Sequence, residues 1–177
     1  LEEIENWHDI VDFDIWVEKS YSILNAAIIG IKADGSICEV NMKDYGYRDV
    51  LNKFSDIKKI DVNGRDIVAL TNHGTVISYI DGVFNESEGD NIIDVQFSDE
   101  IINSVMHHSV YYLTKDGRLI NQYNSSVIMR EVVYINDFFV VTKNGSIYKT
   151  GSNRNYEELT KEEGTACIYD EWLERMK

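Results

Sequence analysis

A short phrase occurs four times in this chain and constrains its fold more than any other feature. It reads IKADGSI at 31–37, LTNHGTV at 70–76, LTKDGRL at 113–119 and VTKNGSI at 141–147. Each copy carries an aliphatic residue, a polar tripeptide ending in Asp, His or Asn, a glycine, a polar residue and a second aliphatic. The glycines are Gly35, Gly74, Gly117 and Gly145. Self-similarity of this kind is the mark of a repeat architecture, in which each copy is one supersecondary unit. Asp-Gly and Asn-Gly favour the type I′ turn, in which both central residues have positive φ, so each copy is expected to be a two-residue hairpin corner.

The flanks agree. Segments 25–31 and 36–40, 66–70 and 75–80, 109–113 and 118–123, and 137–141 and 146–150 are rich in Ile, Val, Tyr and Phe, which suit a pleated, half-buried surface. Polar and apolar residues alternate in the second arms, as in Ile37 and Glu39 or Val76 and Ser78. A further strand is expected before each hairpin, at 10–15, 57–62, 92–97 and 127–134. Long and short units alternate. The surplus, WVEKSYSILN and SDEIINSVMH, is read as an added strand or a protruding loop.

Helical character is confined to the ends and one connection. Residues 1–8 are short and acidic. Residues 43–54 form a connecting loop or a helical turn. In 156–177, Ile168, Trp172 and Met176 share one helical face, which predicts a C-terminal capping helix. The expected fold class is all-β: one repeat domain over 1–177, with units at about 7–42, 54–81, 91–124 and 127–152 and short terminal helices. An ordinary sandwich or barrel is the alternative.

Composition narrows the function. The 177 residues include no proline, where average usage of about 5% would give roughly nine. Corners must therefore be made by Gly, Asn and Asp. No apolar run approaches the roughly 20 residues that a membrane-spanning helix needs, and no basic-then-apolar leader opens the chain. The two cysteines, Cys38 and Cys167, have no metal-type spacing, and reduced thiols in a cytoplasmic protein are expected.

The net charge is −14, and it is concentrated. Residues 1–20 hold seven acids and one base, Lys19. Residues 81–100 hold Asp81, Glu86, Glu88, Asp90, Asp94, Asp99 and Glu100 and no base. Such a surface repels phosphate backbones and anionic membranes, so direct binding to nucleic acid or membrane is excluded and a basic protein partner is favoured. Plain solubility accounts for the same charge.

The residues that carry chemistry in enzymes are mostly missing as patterns. No GxSxG, HExxH, P-loop or GxGxxG occurs. His107 and His108 are neighbours on a predicted strand, where successive side chains point to opposite faces. The stretch DGVFNESEGDNIID has oxygen donors without calcium-loop spacing. No catalytic residue, metal site or cofactor is therefore expected. Tyrosines are numerous, including Tyr45, Tyr47, Tyr111, Tyr112, Tyr123, Tyr148, Tyr156 and Tyr169; exposed, they would serve as interface anchors, and buried, they would fill a core short of Leu. The expected contact surface is the loop after each hairpin together with the acidic stretch: Asp81, Phe84, Glu86, Glu88, Asp90, Tyr45, Tyr47 and Tyr123.

Trp7-His-Asp-Ile-Val, then IGIKADGSI, then Phe54-Ser-Asp-Ile-Lys-Lys-Ile, then IVALTNHGTV, resembles the regulator of chromosome condensation repeat. In bacteria that repeat is similar to a Trp-x-Asp-Ile-Val strand followed by an aliphatic-Thr/Lys-x-Asp-Gly-x-Val hairpin. The resemblance covers about 7–150. The family's Ala-Ala-Gly segment and the Trp-Gly after the hairpin are absent, and only Thr150-Gly151-Ser152-Asn153 is similar to the latter. The resemblance implies a β-propeller of four-stranded blades, here a closed four-bladed ring, an open arc, or a fragment or half of a homodimer. It also implies action by binding, since family members include exchange factors and a secreted inhibitor of β-lactamases. A non-catalytic protein-binding module follows. An acidic mimic of nucleic acid and a ligand- or sugar-binding propeller are the alternatives.

Overall fold

The computed structural model describes residues 4–20, 23–40, 48–63, 66–89, 91–102, 105–136, 139–150 and 156–159. Nearly all of them lie in four antiparallel sheets, an all-β, propeller-like array. The first sheet contains β1 (Ile10–Ser20), β2 (Ile23–Lys32) and β3 (Ile37–Val40); the second β4 (Ile57–Asn63), β5 (Asp66–Thr71), β6 (Thr75–Ile80) and β7 (Val83–Glu88). The third contains β8 (Ile92–Ile102), β9 (Val105–Thr114), β10 (Leu119–Asn121) and β11 (Val127–Met129); the fourth β12 (Val132–Ile135), β13 (Phe139–Thr142), β14 (Ile147–Thr150) and β15 (Tyr156–Glu158). Strand order follows chain order in every sheet. Each sheet is thus a meander closed by local hairpins, as expected when every bend is encoded by its own short turn. The helical content described is a 3₁₀ turn at Ile4–Asn6 and the short helix α1 (Arg48–Leu51), the latter within the predicted connection.

The four glycine corners are equivalent, but they are not type I′ turns. Gly35, Gly74, Gly117 and Gly145 have φ of 78°, 90°, 81° and 88°, while Asp34, His73, Asp116 and Asn144 before them do not have positive φ. Gly35 N donates to Lys32 O (2.8 Å) and Lys32 N to Ser36 O (2.9 Å); the same pair of bonds closes the corners at Thr114 and Thr142. This is a three-residue loop, a type I turn followed by a left-handed glycine. Side chains supply the reason. Asp34 and Asn144 accept the amides of Ser36 and Ser146 at 2.9 and 3.0 Å, a local bond that holds the residue before glycine in the right-handed region. A type I′ turn occurs instead at Asp81-Gly82, where φ is 52° and 80° and Ile80 pairs with Val83.

A second repeated device escaped the sequence reading. Asp9, Asp56, Asn91 and Glu131 each precede a sheet's first strand and each has positive φ, 58°, 58°, 71° and 60°. The carbonyls of Asp9, Asp56 and Glu131 accept the amides of Ala33, Asn72 and Lys143 inside their own sheets. The next amide reaches backwards: Ile57 N donates to Gly35 O (3.0 Å) and Val132 N to Gly117 O (2.9 Å). The Gly35 and Gly117 corners are therefore clamped to the start of the following sheet. A register shift follows at the same place, between Ile10 and Asp12, Ile57 and Lys59, and Val132 and Tyr134, as a β-bulge produces.

Three expectations need correction. The predicted strand 127–134 is two strands: β11 ends the third sheet, β12 begins the fourth, and Glu131 turns the chain between them. The surplus in the long units is neither an added strand nor a loop in the residues described. It lengthens β1 and β2, which stay in register to Ser20↔Ile23, and it lengthens β8 and β9. Finally, the predicted capping helix 156–177 begins as β15, whose Tyr156 and Glu158 pair with Thr150 and Tyr148. A strand edge at β14 would leave its amides and carbonyls without partners, and pairing outweighs the modest helix propensity of this segment. Residues 160–177, with Cys167, Tyr169 and Trp172, lie outside the described residues.

The chain divides into two compact units, Leu1–Phe97 and Ser98–Lys177, with the boundary inside β8. In the first unit the core joins Ile29 and Ile31 of the first sheet to Ile57, Ile60, Val62, Ile67, Ala69 and Ile77 of the second, with Trp16, Ile37 and Phe84 packed against it. Full burial of one such Ile or Val contributes about 1.5–3 kcal/mol. Two carboxylates tie successive first strands together. Asp14 on β1 accepts Val62 N (2.7 Å), and the buried Asp61 on β4 accepts Phe97 N. The second unit has its own core of Tyr111, Leu113, Leu119, Val132, Ile135 and Val140, flanked by Ile128, Met129 and Tyr148. Both Tyr111 and Tyr112 are buried, so these two rings fill core rather than serve as exposed anchors.

Candidate functional site

The β6–β7 hairpin collects four of the residues singled out from sequence. Asp81 is exposed at the tip, where its left-handed backbone is fixed by a bond from its amide to the buried Asp66 carboxylate (3.0 Å). Phe84 pairs with Tyr79 across the hairpin. Its ring is half-buried, edge-to-face with Phe54 at 5.8 Å, and the Lys53 ammonium lies 5.0 Å from its centroid. Phe84 is thus anchored to the first core and shows only part of its ring. Val83 and Glu86 are exposed, and Glu88 ends β7. β7 is the outermost strand of its sheet. Acids on such a strand block pairing with another sheet edge, and they also present a row of negative charge.

Tyr123 belongs to the second unit. It stands in the turn after β10, 90% exposed, with its amide held by Asn121 Oδ1 at 2.8 Å. Asp90, Tyr45 and Tyr47 lie outside the described residues. The loop-face surface expected from sequence is therefore described in two places, the β6–β7 hairpin and the Tyr123 turn.

Two further charged features lie in the first unit. An open cleft of about 480 Å³ runs between the Gly35 corner and residues 51–56, with Asp34, Glu39 and Asp56 in its lining. The Ser36 hydroxyl and amide donate to Asp34 and hold its carboxyl below the usual range. Asn72 Nδ2 (2.8 Å) and His73 (3.3 Å) engage Asp56. Aligned by the repeat, Asp12, Lys59 and Asp94 occupy equivalent positions on β1, β4 and β8. Lys59 Nζ lies 3.6 Å from Asp12 Oδ2. Burial pushes the Asp94 carboxyl up, opposed by the attraction of Lys59. A carboxyl displaced by burial beside a lysine can bind or exchange a proton, but no nucleophile is described beside it.

Among the described residues, no three His, Cys, Asp or Glu side chains are grouped to hold a metal. No helix among them is long and apolar enough to cross a membrane. Cys38 is a free, half-buried thiol whose pKa is raised by burial. His107 and His108 lie on β9. The chain matches no family model and no curated protein.

Proposed function

We propose that this protein is a non-catalytic binding module of the β-propeller kind, acting in the cytoplasm, that holds a basic protein partner. The observation that carries the reading is the β6–β7 hairpin. It displays Asp81, Val83 and Glu86 to solvent beside the half-buried ring of Phe84, and it has no basic residue from Thr75 to Glu88. A half-buried ring with Lys53 on one side and the exposed hairpin acids on the other suits a hydrophobic contact flanked by Lys or Arg that meets those acids, with the charges steering approach. The repeat resemblance supports the reading, because members of the family it resembles act by binding.

Affinity capture from the source cells tests it, with the intact chain and with a triple variant Asp81→Lys, Glu86→Lys and Glu88→Lys as paired baits. The expected result is a protein retained at low salt, released as salt rises, and lost from the variant, since exposed charge attraction is screened within about 10 Å at 0.1 M salt. A protein retained equally by both baits at all salt concentrations overturns the assignment to this hairpin. Displacement of the captured protein by duplex DNA would instead favour a nucleic-acid mimic.

A further inference from the structure

Three of the sheets end in a fourth strand, and the first does not. Among the described residues the first sheet has β1, β2 and β3 only, while β7, β11 and β15 complete the others, each antiparallel to the third strand of its sheet. In chain order α1 stands where those strands stand, between a third strand and the next sheet. Its Leu51, and Phe54 beyond it, are buried in the first core. The repeat shows which groups of β3 face the side that α1 does not pair. In an antiparallel strand the amide and carbonyl of one residue point to the same neighbour, and successive residues alternate. Ile147, two residues after its corner glycine, accepts the Leu159 amide on the fourth-strand side (2.8 Å); Asn121, four residues after its own, donates to Ser126 O on that side (3.0 Å). The counterparts on β3 are Ile37 and Glu39. Lys32 N donates to Ser36 O (2.9 Å), which turns Ser36 towards β2 and Ile37 away from it. Ile37 and Glu39 both line the open cleft of about 480 Å³. The cleft therefore runs along the side of β3 on which the other sheets carry a strand.

The described lining includes the carboxylates of Asp34, Glu39 and Asp56 and no Lys or Arg, with the buried Leu51 and Phe54 among them. Lys32, whose charge acts on Asp34, is not part of it. Lys and Arg combine an apolar stem with a charged head and suit a surface of this mixed kind. We propose that the β3 edge takes up an extended, Lys- or Arg-rich segment of a partner protein, lying antiparallel in the cleft as a fourth strand. Backbone pairing with Ile37 holds the segment, and the acids select its basic side chains, as when a peptide joins a sheet edge. Three to six residues suffice, the length of the described fourth strands. The inference concerns β3 and its cleft and does not rest on the partner proposed for the β6–β7 hairpin.

Titration of the intact chain with a fluorescent, end-blocked heptapeptide of alternating Lys and Val, followed by anisotropy, tests it. Saturable binding is expected, with a Glu and Val heptapeptide weaker by roughly tenfold or more. Methylating the backbone nitrogens of the Lys and Val peptide removes the donors for strand pairing and should abolish binding. Glu39→Lys and Ser55→Lys each place a base in the cleft and should weaken binding by roughly tenfold or more, while Glu86→Lys on the hairpin should leave it within about twofold. Far-UV circular dichroism checks that each variant stays folded. In deuterium exchange followed by nuclear magnetic resonance, the Ile37 amide should slow when the peptide is added. Absence of binding, binding that tolerates the methylated backbone or ignores both cleft substitutions, or an Ile37 amide that already exchanges slowly in the free chain overturns the proposal.

Discussion

The first and second sheets are built from the same phrase and differ in what lies against them. Both begin with a left-handed acid, bulge at the same register position and turn back at a glycine corner. In the second sheet, Ile60 and Val62 are sealed beneath the first. In the first sheet, Phe13 and Ile15, at the same positions, face solvent. The comparison teaches that the repeat fixes the shape of a sheet, while its neighbours determine which apolar residues do core work. A glance at the sequence gives Phe13 the same standing as Ile60. The energetics of folding do not.

The largest expected difference tests that contrast directly. Ile60→Ala removes a packed side chain and should cost about 2–5 kcal/mol by urea denaturation. Phe13→Ala should cost less than about 1 kcal/mol, because its ring is 60% exposed. Equal losses would mean that the two faces are covered alike.

The corners give a smaller effect with the same logic. Gly35 is clamped against the next sheet, so an added Cβ would lie 2.8 Å from Asp56 Cα; around Gly145 nothing lies within 4 Å. Both have positive φ. Gly145→Ala should lose only the backbone penalty, about 1–2 kcal/mol. Gly35→Ala adds a backbone collision and should be clearly worse, read as a lower midpoint in thermal unfolding. Equal midpoints would show that the clamp yields without cost.

The smallest effect concerns the charged row on the first strands. Asp94 has a raised pKa, chiefly through burial, so the folded protein binds its proton more readily than the unfolded chain does. Between the ordinary carboxyl pKa and the raised one, the native state holds more protons, and stability falls as pH rises through that window. Asp94→Asn retains an oxygen to accept the Val95 amide, which Asp94 Oδ1 now accepts at 2.9 Å. It should raise the melting temperature slightly at neutral pH, with the gain vanishing as pH falls towards 4. A loss of stability at neutral pH would show that the attraction of Lys59 outweighs burial.

Much of the fold was legible because its signals are local. The glycine corners and the strands beside them follow from residue identity over a few positions, while the connection at 43–54 was left open between a loop and the helical turn found at 48–51. The corner type was not, because a choice between type I′ and a type I turn with a left-handed glycine depends on where the Asp34 and Asn144 side chains find amides. The segment at 156–158 read as helix because its composition favours one, and the exposed edge that recruits it as a strand is seen only after β14 is placed. Of the candidate site, the acids on the β6–β7 hairpin were visible as a run of charge. The half-burial of Phe84 against Phe54 and Lys53 was not, since those residues lie about thirty positions away in the chain.

By itself, the sequence determined that this is a chain of repeated β-hairpins, acidic in two stretches and bent by glycine and not by proline. Those properties rest on backbone sterics, side-chain periodicity and formal charge, each of which acts over a handful of residues. Tertiary structure alone decided that Asp14 and Asp61 serve as ties between strands, that Tyr111 and Tyr112 are buried, and that Phe13 and Ile15 are left uncovered. Burial depends on what distant segments bring to a surface, and that information is held by the assembled sheets and not by any one of them.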